Sequence, residues 1–135
     1  MRTAILAATL TVLCAAAGRP AGPQPPKVEG GKTIFQTICA SCHGADARGG
    51  GPVAESLKTK PPDLRRIAQR RGGTFPEGEV AGFIDGRTRT PAHGTSEMPV
   101  WGDRLARAVK DEKEREGRVA RNVEMLVAYL KTIQE

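Results

Sequence analysis

The sequence predicts an all-α protein of about four to five short helices. Three observations carry this expectation. Strand-type alternation is nearly absent, apolar residues recur three and four apart, and Gly/Pro clusters separate the segments so formed. At 135 residues the chain has the size of one domain.

Residues 1–17 stand apart from that domain. Arg2 supplies a positive charge, Ala4 to Ala17 is almost wholly apolar, and Ala15-Ala16-Ala17 offers a small-residue cleavage site before Gly18. This is the layout of a secretory signal peptide. The apolar run is shorter than the roughly 17–25 residues that span a bilayer, so cleavage is expected and a retained anchor is the weaker alternative. Cys14 follows Leu13 where a lipoprotein signal needs a small residue, and it reads as filler in the apolar run. Residues 18–28, with Pro20, Pro23, Pro25 and Pro26, read as a leader, and the domain is expected over 29–135.

The first helix is expected from about Gly31 to Ala40, with Ile34, Phe35 and Ile38 on its apolar face. A second begins near Pro61-Pro62-Asp63, buries Leu64, Ile67 and Ala68, and ends at Gly72-Gly73. Thr74-Phe75-Pro76-Glu77 reads as a capping box for a third, with Val80, Phe83 and Ile84 inward and Gly86 as terminator. Residues 103–118 are densely charged. Asp111–Arg115 and Glu114–Arg118 are favourable i,i+4 pairs, but the stretch has little to bury and reads as a solvated insertion. The last helix is the clearest: Val119, Val123, Leu126, Val127, Leu130 and Ile133 keep one continuous face.

Cys39-Ala40-Ser41-Cys42-His43 carries the chemistry. Two cysteines two residues apart, followed at once by histidine, form the attachment signature of a c-type haem. Each thiol adds across one porphyrin vinyl group, and the adjacent imidazole then reaches one face of the iron. A structural zinc site needs a second ligand pair, and the only other cysteine and histidine are Cys14 and His93. A thioredoxin-like motif needs a βαβ pattern, which is missing here. One haem c bound through Cys39 and Cys42 also supplies the apolar mass that five aromatic residues cannot: Phe35, Phe75, Phe83, Trp101 and Tyr129.

Three side chains compete for the second face of the iron: Met98, Met125 and His93. Met98 lies in the irregular stretch Ser96-Glu97-Met98-Pro99, where a loop can deliver a thioether opposite His43 and Pro99 stiffens it. Met125 sits in the last helix as a filler, and His93 in a Gly-flanked loop. Loop placement favours Met98. His/Met ligation fills both axial positions and leaves electron transfer as the natural activity.

Charge speaks to partners. The formal net charge is +6, or about +5 once Arg2 is removed with the leader peptide. Lys58, Lys60, Arg65, Arg66, Arg70 and Arg71 are opposed locally by Asp63 alone. Such a patch steers an acidic protein partner or simply solvates the surface. An exported haem protein with few aromatics is not expected to bind nucleic acid.

The chain resembles a small class I cytochrome c of the bacterial periplasmic kind over roughly residues 29–134. Gly31, Phe35 and Cys39 keep the family's four-residue steps, and Leu126 with Tyr129 reproduces its leucine and aromatic near the end of the chain. The resemblance implies a small cytochrome c fold wrapped around one covalent haem, its first and last helices crossing. It implies His43 and Met98 as iron ligands, with Met98-Pro99 matching the family's Met-Pro element. It also implies that Pro52, in Gly51-Pro52, offers its carbonyl to Nδ1 of His43. The family's mid-loop tryptophan is missing, so the propionate partners are open among Arg65, Arg66, Arg87, Arg89 and Trp101.

Two functions follow. One is a diffusible, monomeric, periplasmic carrier of single electrons between redox proteins, not itself an enzyme and without membrane insertion of its mature chain. The alternative is a dedicated haem subunit of a periplasmic oxidoreductase whose catalytic site lies on another chain. A gas-binding or peroxidase-like haem is disfavoured by the sixth ligand.

Overall fold

A computed structural model describes residues 25–86 and 98–135, apart from the side chain of Asp103. The expected signal peptide, most of the leader, His93, Arg87 and Arg89 lie outside the described residues. Among the described residues the secondary structure is helical throughout, with no strand.

The first helix starts earlier than its apolar pattern suggests. Helix α1 spans Pro26–Ile34, with Pro25 at the N-cap and proline in the first turn, where the missing N–H costs nothing. Pro25 and Pro26, read as leader, therefore open a helix. The chain continues without a break through a wide π-turn, Phe35–Cys39, into α2, Ala40–His43. In that turn the Ala40 N–H reaches back five residues to the Phe35 carbonyl.

The middle of the chain is short turns. A 3₁₀ turn, Ala54–Ser56, precedes a second 3₁₀ turn, Leu64–Arg66, which runs into α3, Ile67–Arg70. The Asp63 carboxylate caps this run by accepting from the Arg65 N–H at 3.0 Å, as the Pro-Pro-Asp signal anticipates. Helix α4, Glu77–Asp85, ends at Gly86 in the left-handed conformation (φ 84°). Its expected capping box does not form. Pro76 occupies the N-cap position with no side-chain cap bond, which leaves Thr74 two residues too far upstream.

Helix α5 is one turn, Gly102–Leu105, and α6 runs from Glu112 to Thr132. Half of the charged stretch read as an insertion is thus the start of the last helix. Asp111 caps it, accepting from the Glu114 N–H at 2.8 Å, and the pairs Arg115–Glu112 and Arg118–Glu114 support its exposed turns.

Helices α1 and α6 cross at Gly31. A Cβ there would sit 1.9 Å from the Met125 carbonyl oxygen, so no larger residue permits this approach. Beyond the crossing, Phe35 (0% exposed) and Leu126 (1%) fill the centre, and the Phe35 and Tyr129 rings meet at 5.4 Å. Val80, Ile84, Val123, Val127 and Leu130 complete the packed core.

Candidate haem site

A mainly apolar cavity of about 540 Å³ opens beside this core. That volume falls within the range of about 300–1,000 Å³ usual for ligand and cofactor sites. Four elements build it. Ile38, Cys39, Cys42 and His43 come from the π-turn and α2; Pro61, Pro62, Leu64 and Ile67 form one wall; Val80, Phe83 and Ile84 of α4 form another; Leu126 and Leu130 of α6 form the floor. Phe83 is on the expected face of α4 yet 41% exposed, because its ring faces the cavity rather than the packed core.

Met98 lines the same cavity, partly buried against the core. The backbone holds it there: the Trp101 N–H donates to the Ile84 carbonyl at 3.0 Å, fastening the Met98–Trp101 segment to the end of α4. Met125 does not reach the cavity. Its Sδ lies against Gly30 at the α1–α6 crossing, where a Cβ would come within 2.6 Å of it.

Burial sets the protonation states. It pushes the Cys39 thiol up to about 12, with Cys42 adding to the effect. It pushes the His43 imidazole down from 6.5, so the ring is neutral at pH 7 and keeps a lone pair for a metal. The Pro62 carbonyl opposes that shift. Nδ1 of the ring is buried and makes no hydrogen bond among the described residues.

Pro52, expected beside His43, is exposed and lies away from the cavity. The Gly51 N–H donates to the Cys42 carbonyl at 3.1 Å and the Val53 N–H to the Ser41 carbonyl at 3.0 Å, so Gly51-Pro52 forms a turn behind the motif. Pro62, read from sequence only as a helix-starting residue, lines the cavity.

The open question of polar partners at the rim narrows as well. Trp101 lines the cavity, together with Thr59, Lys60, Arg70 and Arg71. Arg65 turns away, held by Asp63 at 2.8 Å and by Glu135. Arg66 lies 3.8 Å from Asp63 on the exposed side.

The donor set fits a covalently attached haem: two thiols and a neutral imidazole with an unpartnered nitrogen share one apolar cavity with a thioether. Comparison with known proteins agrees. Residues 28–134 match the family Cytochrome c, and the chain belongs to the cytochrome c family. Membership makes it a haem c protein of electron transfer, attached through Cys39 and Cys42. Over 89 residues it is 39% identical to the Cbb3-type cytochrome c oxidase subunit FixP of Sinorhizobium medicae, covering 66% of this chain and 26% of that protein. Over 82 residues it is 39% identical to the FixP subunit of Rhizobium meliloti, covering 61% and 24%. The similarity spans about a quarter of the length of these relatives. No solved structure matches the chain significantly.

Proposed function

We propose that the chain carries single electrons between periplasmic redox proteins, through one haem whose iron is held by His43 and Met98. The observation that carries this reading is that Cys39, Cys42, His43 and Met98 all line one apolar cavity. When bound, the haem supplies one-electron iron chemistry. The protein's own residues do the rest: Cys39 and Cys42 would tether the group, and neutral His43 and the Met98 thioether would hold its iron. Leu64, Ile67, Phe83 and Leu126 exclude water. Held by these two side chains, the iron would offer no site to oxygen or peroxide, and electron transfer needs no catalytic residue.

In this reading residues 1–17 export the chain and are removed. The described residues contain no helix long and apolar enough to cross a membrane. Lys60, Arg70 and Arg71 at the cavity rim favour a partner with an acidic docking face. Exposure of the ferrous protein to carbon monoxide at neutral pH tests the closed site. An unchanged spectrum is expected; ready binding would contradict it.

A second reading, a haem subunit of a larger oxidoreductase, is favoured by the relatives, which are named as oxidase subunits. Gentle purification from native membranes separates the two. A carrier elutes alone as a monomer, whereas a subunit stays with its oxidase.

A further inference from the structure

Gly72 (φ 70°), Gly73 (φ 92°) and Gly86 (φ 84°) all follow helices in the left-handed region. A Cβ on Gly72 or Gly73 would meet nothing within 4 Å, so there glycine serves the turn alone. Gly86 differs. A Cβ there would stand 2.4 Å from Cγ1 and 2.7 Å from Cγ2 of Val100. The valine side chain occupies the room that the glycine leaves.

Two further contacts run beside this one. The Trp101 N–H donates to the Ile84 carbonyl at 3.0 Å, and a Cβ on Gly102 would lie 3.1 Å from the Asp85 carbonyl oxygen. Residues 84–86 and 100–102 are thus joined side by side. The α4 side is anchored, since Ile84 is buried and packs with Val80 in the core. On the other side, Pro99 connects Val100 to Met98 with a fixed φ, and both Pro99 and Met98 line the cavity. Val100 itself is 39% exposed, so its seat on Gly86 stands in for core burial.

We propose that Gly86 and Val100 are positioning residues that clamp Met98 at the cavity and keep the iron closed to small ligands. This rests on Met98 being an iron ligand. The thioether leaves only if the Pro99–Val100 arm swings, and the arm swings only if Val100 lifts from Gly86. Opening exchanges one iron–sulfur bond for one bond to an incoming ligand, with no change of oxidation state. The clamp therefore sets how much of the protein is open, not which chemistry follows.

The holoprotein variants Gly86→Asn, Val100→Ala and the two combined test this. The readouts are carbon monoxide binding in the ferrous state and the sulfur-to-iron charge-transfer band in the ferric state. Asparagine tolerates the left-handed region, so Gly86→Asn keeps the helix end and adds the Cβ that meets Val100. Its carbon monoxide binding accelerates by roughly tenfold, the scale of one overpacked contact, and the band weakens. Val100→Ala strains no backbone, which preserves a readout should the asparagine variant fail to fold, and it too binds faster because the arm loses its seat. The combined variant binds more slowly than Gly86→Asn alone, because the γ carbons in the way are gone. Val123→Ala, in the core and away from the cavity, lowers the melting temperature and leaves both readouts alone. Single variants that bind no faster than wild type, effects that simply add, or equal opening in Val123→Ala would overturn the proposal. Failure of the ligand reading shows separately, in a wild-type spectrum without the sulfur band.

Discussion

Asp63 shows how much one side chain holds. Its carboxylate caps a helical run and receives the Arg65 fork, while its backbone carbonyl accepts from Arg70 at 2.9 Å. Hydrogen bonds from Arg65 hold its carboxyl below the ordinary 3.8. The native state thus favours the ionised form, so the stabilisation is complete above about pH 3.8 and is lost as pH falls through the lowered native value. Asp63→Asn should lower the melting temperature at pH 7, with the gap to wild type closing below pH 3.8; a constant gap would contradict the linkage. At this scale the sequence was legible where a motif is contiguous. Cys39, Cys42 and His43 need no folding to be recognised, and Met98 was marked by its loop. Pro62 lines the cavity and Pro52 does not, because the loop after His43 turns back on itself and distance along the chain does not say which proline returns.

Among the elements, the crossing of α1 and α6 organises the rest. Gly31→Ala places a methyl into the Met125 carbonyl and forces the helices apart. Overpacking of this kind costs about 1–3 kcal/mol, readable as a shift in the denaturation midpoint. Leu126→Ala at 1% exposure costs about 2–5 kcal/mol by cavity formation. If Gly31→Ala were neutral, the helices would not pack through this contact. The faces of α4 and α6 were legible because apolar spacing survives in sequence. The starts of α1 and α6 were not. Pro25-Pro26 reads equally as linker or helix start, and the charged turns from Glu112 have no buried face to betray them.

At the scale of the whole molecule, folding changes the charge that the sequence suggests. Along the sequence six cations, Lys58, Lys60, Arg65, Arg66, Arg70 and Arg71, are opposed locally by Asp63 alone. In the folded chain Glu55 meets Lys60, Glu79 meets Arg71 and Glu135 meets Arg65. Electrostatic steering is therefore modest. The rate of electron exchange with an acidic partner should fall with rising salt, and Lys58→Glu should slow it at low ionic strength while leaving the potential unchanged. A salt-independent rate would remove the basic rim from partner recognition.

The central claim is that His43 and Met98 close the two faces of one haem iron. The spectrum of the oxidised protein, with and without Met98→Ala, tests it most directly. Wild type should show a low-spin haem with the weak sulfur-to-iron charge-transfer band. Met98→Ala should lose that band, gain carbon monoxide binding in the ferrous state and fall in potential. A Met98→Ala protein that keeps the band would place another sulfur on the iron and contradict the account.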